Sequence, residues 1–92
     1  MTLDELYQII CDRRDNPTVG SYTVSLLEAG EDEILKKIGE ETIEVIIAAK
    51  GQGKQRLVEE TADLIYHLLV LLAQQEVEPK LVMEELAIRH AK

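Results

Sequence analysis

Tryptophan and phenylalanine are missing from the 92 residues, and three tyrosines bring the aromatics to only 3%. A core must then be assembled from leucine, isoleucine, valine and alanine, a choice that favours packed helices over a sheet. The single cysteine, Cys11, excludes an internal disulfide. It neighbours Leu3, Tyr7 and Ile10 in the first helical pattern and reads as a half-buried packing residue, because a catalytic thiol needs an electropositive setting. Positive charge is also scarce. Ten Lys and Arg against 18 Asp and Glu give a net charge of −8, which repels a phosphate backbone and argues against nucleic-acid binding. A phosphorylated small molecule must therefore be brought in through bound cations or a local cluster of Lys and Arg. No basic stretch and apolar core of a signal peptide follows Met1. The longest apolar run, Leu64 to Ala73, is interrupted by His67 and is too short for a bilayer. The expectation is a single cytoplasmic domain, residues 1–92, with no membrane partner, hiding about 60–65% of its unfolded surface.

What is present is helical periodicity with its punctuation. Thr2 and Glu5 form a capping box for a first helix that ends near Arg13 or Arg14. Residues 15–21 are rich in turn formers, and Tyr22 to Ala29 make a short second helix closed by Gly30. The third helix is expected from Asp32 to Lys50, with Gly51 just past its end and Ile34, Leu35, Ile38, Val45, Ile46 and Ala49 on one buried stripe. Gly39 inside it suggests a close approach. Gly51-Gln52-Gly53 is a connection so short that the fourth helix, Lys54 to Gln75, must be an antiparallel neighbour. Pro79 suits the first turn of a fifth helix, with Val82, Leu86 and Ala87 facing inward. The fold class is all-α, an antiparallel bundle of four to five helices. The segment Leu64 to Leu72 is apolar almost all round, and Ile43 and Ile47 form a second apolar strip on the third helix. Too few elements remain to cover both, so a homodimer is expected to complete the bundle.

Acidic residues cluster on the two facing helices. Glu41 and Glu44 point the same way to within roughly 60°. Arg56, Glu60, Asp63 and His67 follow the spacing of a single face on the fourth helix and lead into its apolar segment. Ionised carboxylates converging on a low-dielectric region need a positive charge among them. All-oxygen ligands without cysteine point to a hard ion, Mg²⁺ or Mn²⁺, rather than Zn²⁺. The Glu-x-x-His spacing of di-iron bundles is not met, since Leu64 precedes His67 by three and Ala87 precedes His90 by three. By periodicity alone, Glu40, Glu41, Glu44, Glu59 and Glu60 also read as a solvated acidic face. His67 by itself reads as a core histidine donating to a carboxylate or carbonyl, and Lys37 can pair with Glu41 and Glu44 or touch a phosphate.

Glu40-Glu41-Thr42-Ile43-Glu44, followed by Glu60-Thr61-Ala62-Asp63, resembles the E-E-x-x-E and E-x-x-D signature of the MazG-like all-α nucleotide pyrophosphohydrolases. Gly20 to Thr23, Lys36 to Glu41, Ala48 to Lys50 and Ala62 to Leu72 are similar to the phosphoribosyl-ATP pyrophosphatase family within it. That resemblance covers about Leu3 to Ala73. It implies a Mg²⁺-dependent enzyme of histidine biosynthesis, with Mn²⁺ as a substitute, that hydrolyses 1-(5-phosphoribosyl)-ATP to 1-(5-phosphoribosyl)-AMP and pyrophosphate. It further implies Glu41, Glu44, Glu60 and Asp63 as metal ligands, and Arg13, Arg14, Ser21, Tyr22, Thr23, Lys37, Lys50 and His67 as substrate-facing residues. Glu44 or Glu40 is the candidate general base. The cation would stabilise charge on departing pyrophosphate and activate water. In some organisms this activity is fused to a cyclohydrolase, and this chain is expected to perform the pyrophosphatase step alone. Two alternatives stay open: a housecleaning pyrophosphohydrolase of nucleoside triphosphates or dUTP, and a non-enzymatic acidic interaction module.

Overall fold

The Thr2 hydroxyl accepts the amide of Glu5 at 3.1 Å, and α1 (Leu3–Asp15) starts at that cap. The computed structural model describes residues 1–91, and all regular structure among them is helical. α1 runs slightly beyond the expected end because Asn16 closes it, its amide reaching the Asp12 carbonyl at 2.7 Å. After the loop, the Ser21 hydroxyl caps α2 (Tyr22–Ala29) by accepting the Val24 amide at 3.3 Å. Gly30, at φ 97°, is both the end of α2 and the entry to α3 (Glu31–Gly51). The third helix thus begins one residue before the expected Asp32.

α3 and α4 (Gly53–Gln74) pack along their lengths as a hairpin, joined by Gln52 alone. Gly51 stays inside α3, and the left-handed residue of the connection is Gly53, at φ 85°. At the far end of α4 the Val77 amide bonds to the Leu72 carbonyl at 2.8 Å and the Glu76 amide to that of Ala73 at 3.2 Å. This paired closure needs a left-handed residue at Glu76, which adopts φ 58°. α5 (Pro79–Arg89) then packs against α1.

Tyr7, Ile10, Leu26, Ile34, Leu69, Val70 and Ala73 form the core where α1, α2, the start of α3 and the end of α4 meet. Cys11 packs half-buried against it. Several packing expectations are corrected. Leu35, Ile46 and Ala49 lie outside the buried stripe of α3 and are exposed, because the inward column runs through Ile34, Ile38, Val45 and Ala48 at i, i+4, i+11 and i+14. A Cβ at Gly39 would meet nothing within 4 Å among the described residues, so no other element of the single chain approaches closely there. Val82, Leu86 and Ala87 are exposed. So are Ile65 and Leu68 in the apolar segment of α4, which the single chain does not enclose.

Candidate active site

Glu41 falls at i+7 in the inward column of α3, between Ile38 and Val45, and is half-buried for that reason. On α4, Glu60 and His67 occupy the matching face seven residues apart, at 6% and 4% exposure. Asp63, one turn after Glu60, lies at the surface. Carboxylate oxygens of Glu41, Glu60 and Asp63 all come within 4.8 Å of one another. Three anionic groups this close, one of them buried, repel one another unless positive partners stand beside them.

The described residues supply two such partners. Lys37 places its Nζ 3.5 Å from Glu40 and 3.7 Å from Glu41. Its pKa is raised, first by the neighbouring Tyr22 phenol and then by Glu40 and Glu41. Arg56 donates from Nη2 to Glu60 Oε1 at 2.5 Å and from Nη1 to Glu59 Oε1 at 2.7 Å. The bond to Glu59, and then the charge of Glu60, raise the pKa of that guanidinium.

A second polar chain ties α2 to α4 beside the carboxylates. His67 Nδ1 lies 2.7 Å from the Asp63 carbonyl and Nε2 lies 2.9 Å from the Tyr22 hydroxyl. A carbonyl can only accept, so in the neutral ring Nδ1 carries the proton and Nε2 accepts from Tyr22. The Thr23 and Tyr66 hydroxyls are also hydrogen-bonded to each other. Tyr22 and Tyr66 stack with centroids 6.2 Å apart, and burial raises the pKa of the Tyr22 phenol.

The structure therefore gathers Glu41, Glu60, Asp63, Lys37, Tyr22, Thr23 and His67 into one region. Glu44 stands one helical turn from Glu41, exposed and outside the group of three. Glu40 is exposed and paired with Lys37. Ser21 spends its hydroxyl on the α2 cap, beside a cavity of about 610 Å³ lined by Pro17, Thr18, Val19, Gly20, Ser21 and Tyr22. Arg13 pairs with its neighbour Asp12 at 3.1 Å. Arg14 donates to the Ala73 carbonyl at 2.8 Å and to Asp15, which puts it about 15 Å along α4 from Asp63. Lys50 is exposed near the hairpin tip. The sequence places Arg56 on the face of Glu60, Asp63 and His67, but Arg56 is absent from the candidate site residues, although its i, i+4 spacing to Glu60 signals the pair. Tyr66 was also missing from the candidate site residues, and its bond to Thr23 depends on how α2 docks on α4.

A model of the phosphoribosyl-ATP pyrophosphohydrolase family matches residues 3–90. Phosphoribosyl-ATP pyrophosphatase of Pelotomaculum thermopropionicum is 58% identical over 88 residues, covering 96% of this chain and 90% of the relative. The enzyme of the same name from Sulfurisphaera tokodaii is 54% identical over 87 residues, covering 95% and 93%. A histidine biosynthesis bifunctional protein of Nostoc sp. is 48% identical over 88 residues, which span 96% of this chain and 41% of that longer protein. With helices, acidic cluster and a match along nearly its whole length in agreement, the chain belongs to the phosphoribosyl-ATP pyrophosphohydrolase family.

Proposed function

We propose that this protein hydrolyses 1-(5-phosphoribosyl)-ATP to 1-(5-phosphoribosyl)-AMP and pyrophosphate, the pyrophosphatase step of histidine biosynthesis, with Mg²⁺ held by Glu41, Glu60 and Asp63 and by Glu44 beside them. The observation that carries the reading is the meeting of Glu41, Glu60 and Asp63 oxygens within 4.8 Å in a chain matched by this family over residues 3–90. The donor set fits the ion: it is all oxygen, it draws on two helices, and one member is a buried carboxylate. When bound, Mg²⁺ supplies charge neutralisation for the departing pyrophosphate and lowers the pKa of water.

The chain's own residues do the rest. Glu41 and Glu60 stand on facing helices, so the packing of α3 against α4 sets the width of the cage. Lys37, at its edge, neutralises a phosphate oxygen of the substrate, which offsets the cost of bringing an anion to a protein of charge −8. Glu44 has no ion-pair partner within 4 Å among the described residues, whereas Glu40 is tied to Lys37. Glu44 is therefore the carboxylate assigned, besides its place at the cation, to accept the proton of the attacking water. Tyr22 and Thr23 on α2 face the substrate from beside the cage, with His67 behind Tyr22.

Residues 1–92 act as one domain in the cytoplasm, as a homodimer. Among the described residues no helix is long and apolar enough to cross a membrane. Ile43, Ile47, Ile65 and Leu68 are 57%, 45%, 38% and 40% exposed in the single chain, and a second copy would cover such apolar faces. Turnover of phosphoribosyl-ATP with and without Mg²⁺, set beside dUTP and dCTP, tests the activity. Preference for dUTP or dCTP would move the protein to a housecleaning role, and Mg²⁺-independent turnover would remove the metal cage. A monomer mass by light scattering at micromolar concentration would overturn the dimer.

A further inference from the structure

We infer that Arg56 is an exchangeable counter-ion of the site: it holds the Glu60 carboxylate while no divalent cation is present and releases it when one binds. The inference rests on the reading of Glu41, Glu60 and Asp63 as a cation site.

Glu60 is the buried member of the three carboxylates, and its Oε1 already accepts the Arg56 Nη2 at 2.5 Å. A hard dication bound by that carboxylate would face the guanidinium at close range, and two cations so near repel each other. The two therefore compete. Arg56 is built to leave without disturbing the core, because its side chain is 47% exposed while that of Glu60 is 8% exposed. Its other arm stays anchored to Glu59 at 2.7 Å, and Glu59 is steadied by Gln55 at 3.1 Å. Lys37 differs, since it stands 3.7 Å from Glu41, short of a contact bond, and does not touch Glu60.

Two consequences separate this role from a passive surface pair. The Glu60 carboxylate held in place by Arg56 is preformed for the cation, and the cation's apparent affinity is lowered by the pair it must break. Titration calorimetry of Mn²⁺ into the intact protein, Arg56→Gln and Lys54→Gln, at one pH and ionic strength, tests it. Lys54 is a cation on the same helix with no ion pair within 4 Å among the described residues, so its variant removes equal charge without touching Glu60. Arg56→Gln should tighten Mn²⁺ binding roughly two- to fivefold, the scale of a half-exposed pair. Lys54→Gln should change it by much less. Melting should agree, with Arg56→Gln lowering the melting temperature of the metal-free protein but not that of the Mn²⁺-saturated protein. Unchanged or weaker Mn²⁺ binding by Arg56→Gln, or equal tightening by Lys54→Gln, would overturn the inference alone. A folded wild-type protein that takes up no Mn²⁺ would overturn it together with the cation-site reading.

Discussion

Tyr22 and His67, 45 residues apart in the chain, share a hydrogen bond of 2.9 Å in which the phenol donates to Nε2. It fastens the first residue of α2 to the middle of α4, one turn past Asp63. Tyr22→Phe removes the donor and leaves a buried imidazole nitrogen unpaired, which costs about 1–3 kcal/mol. The melting temperature of the metal-free protein should fall by about 4–8 °C for each kcal/mol lost. A melt that matches wild type would show the bond to be dispensable.

Asp63 brings a third negative charge within 4.8 Å of Glu41 and Glu60. Without a dication this is a repulsive arrangement, worth on the order of 1 kcal/mol at a wet site. Asp63→Asn should therefore melt higher than wild type in chelator, yet gain nothing when Mn²⁺ is added, because a ligand of the folded state has been removed. Thermal scans with and without Mn²⁺ read both effects, and a variant that still gains melting temperature from Mn²⁺ would take Asp63 out of the cage.

The left-handed backbone of Glu76, φ 58°, closes α4 where glycine is the usual occupant. Glu76→Gly should relieve the clash of the side chain with its own backbone and stabilise the fold by about 1 kcal/mol, net of the extra freedom glycine gives the unfolded chain. Urea denaturation should show a higher midpoint with an unchanged slope.

Glu59 has its pKa lowered below 4.5, by the hydrogen bond from Gln55 first and by Arg56 next. A depressed carboxylate contributes stability that is fully present above pH 4.5 and is lost as pH falls through its folded value. Wild type should consequently lose melting temperature faster than Glu59→Gln on acidification below that point. The difference will be small, as Glu59 is exposed. Parallel acid branches of the two melting curves would contradict it.

Helix existence was legible in the sequence because caps and breakers announce themselves locally: Thr2, Ser21, Gly30 and Pro79 all stand at helix starts or ends. The facing of α3 was harder to read. That helix carries apolar residues on both its inner and outer sides, so periodicity could not tell the column of Ile34 and Ala48 from the strip containing Leu35 and Ile46. Grouping Glu41 with Glu60 and Asp63 needed only the signature spacing and a short hairpin. Assigning Arg14 was a different problem. Its role as a partner for the Ala73 carbonyl joins residues 59 apart and depends on how α1 docks, which no local pattern encodes.

Gly30 alone separates α2 from α3, so the two rods meet at an elbow with no slack. Tyr22 sits at one rod's start and Glu41 midway along the other, and their separation is fixed by a single pair of backbone dihedrals. Lengthening the chain by one residue at that elbow would rotate α3 by about 100° about its own axis relative to α2, carrying Glu41 out of register with Tyr22. The same extra residue among positions 16–20 would be absorbed by exposed loop, so tolerance to insertion should change abruptly between the two ends of an eight-residue helix.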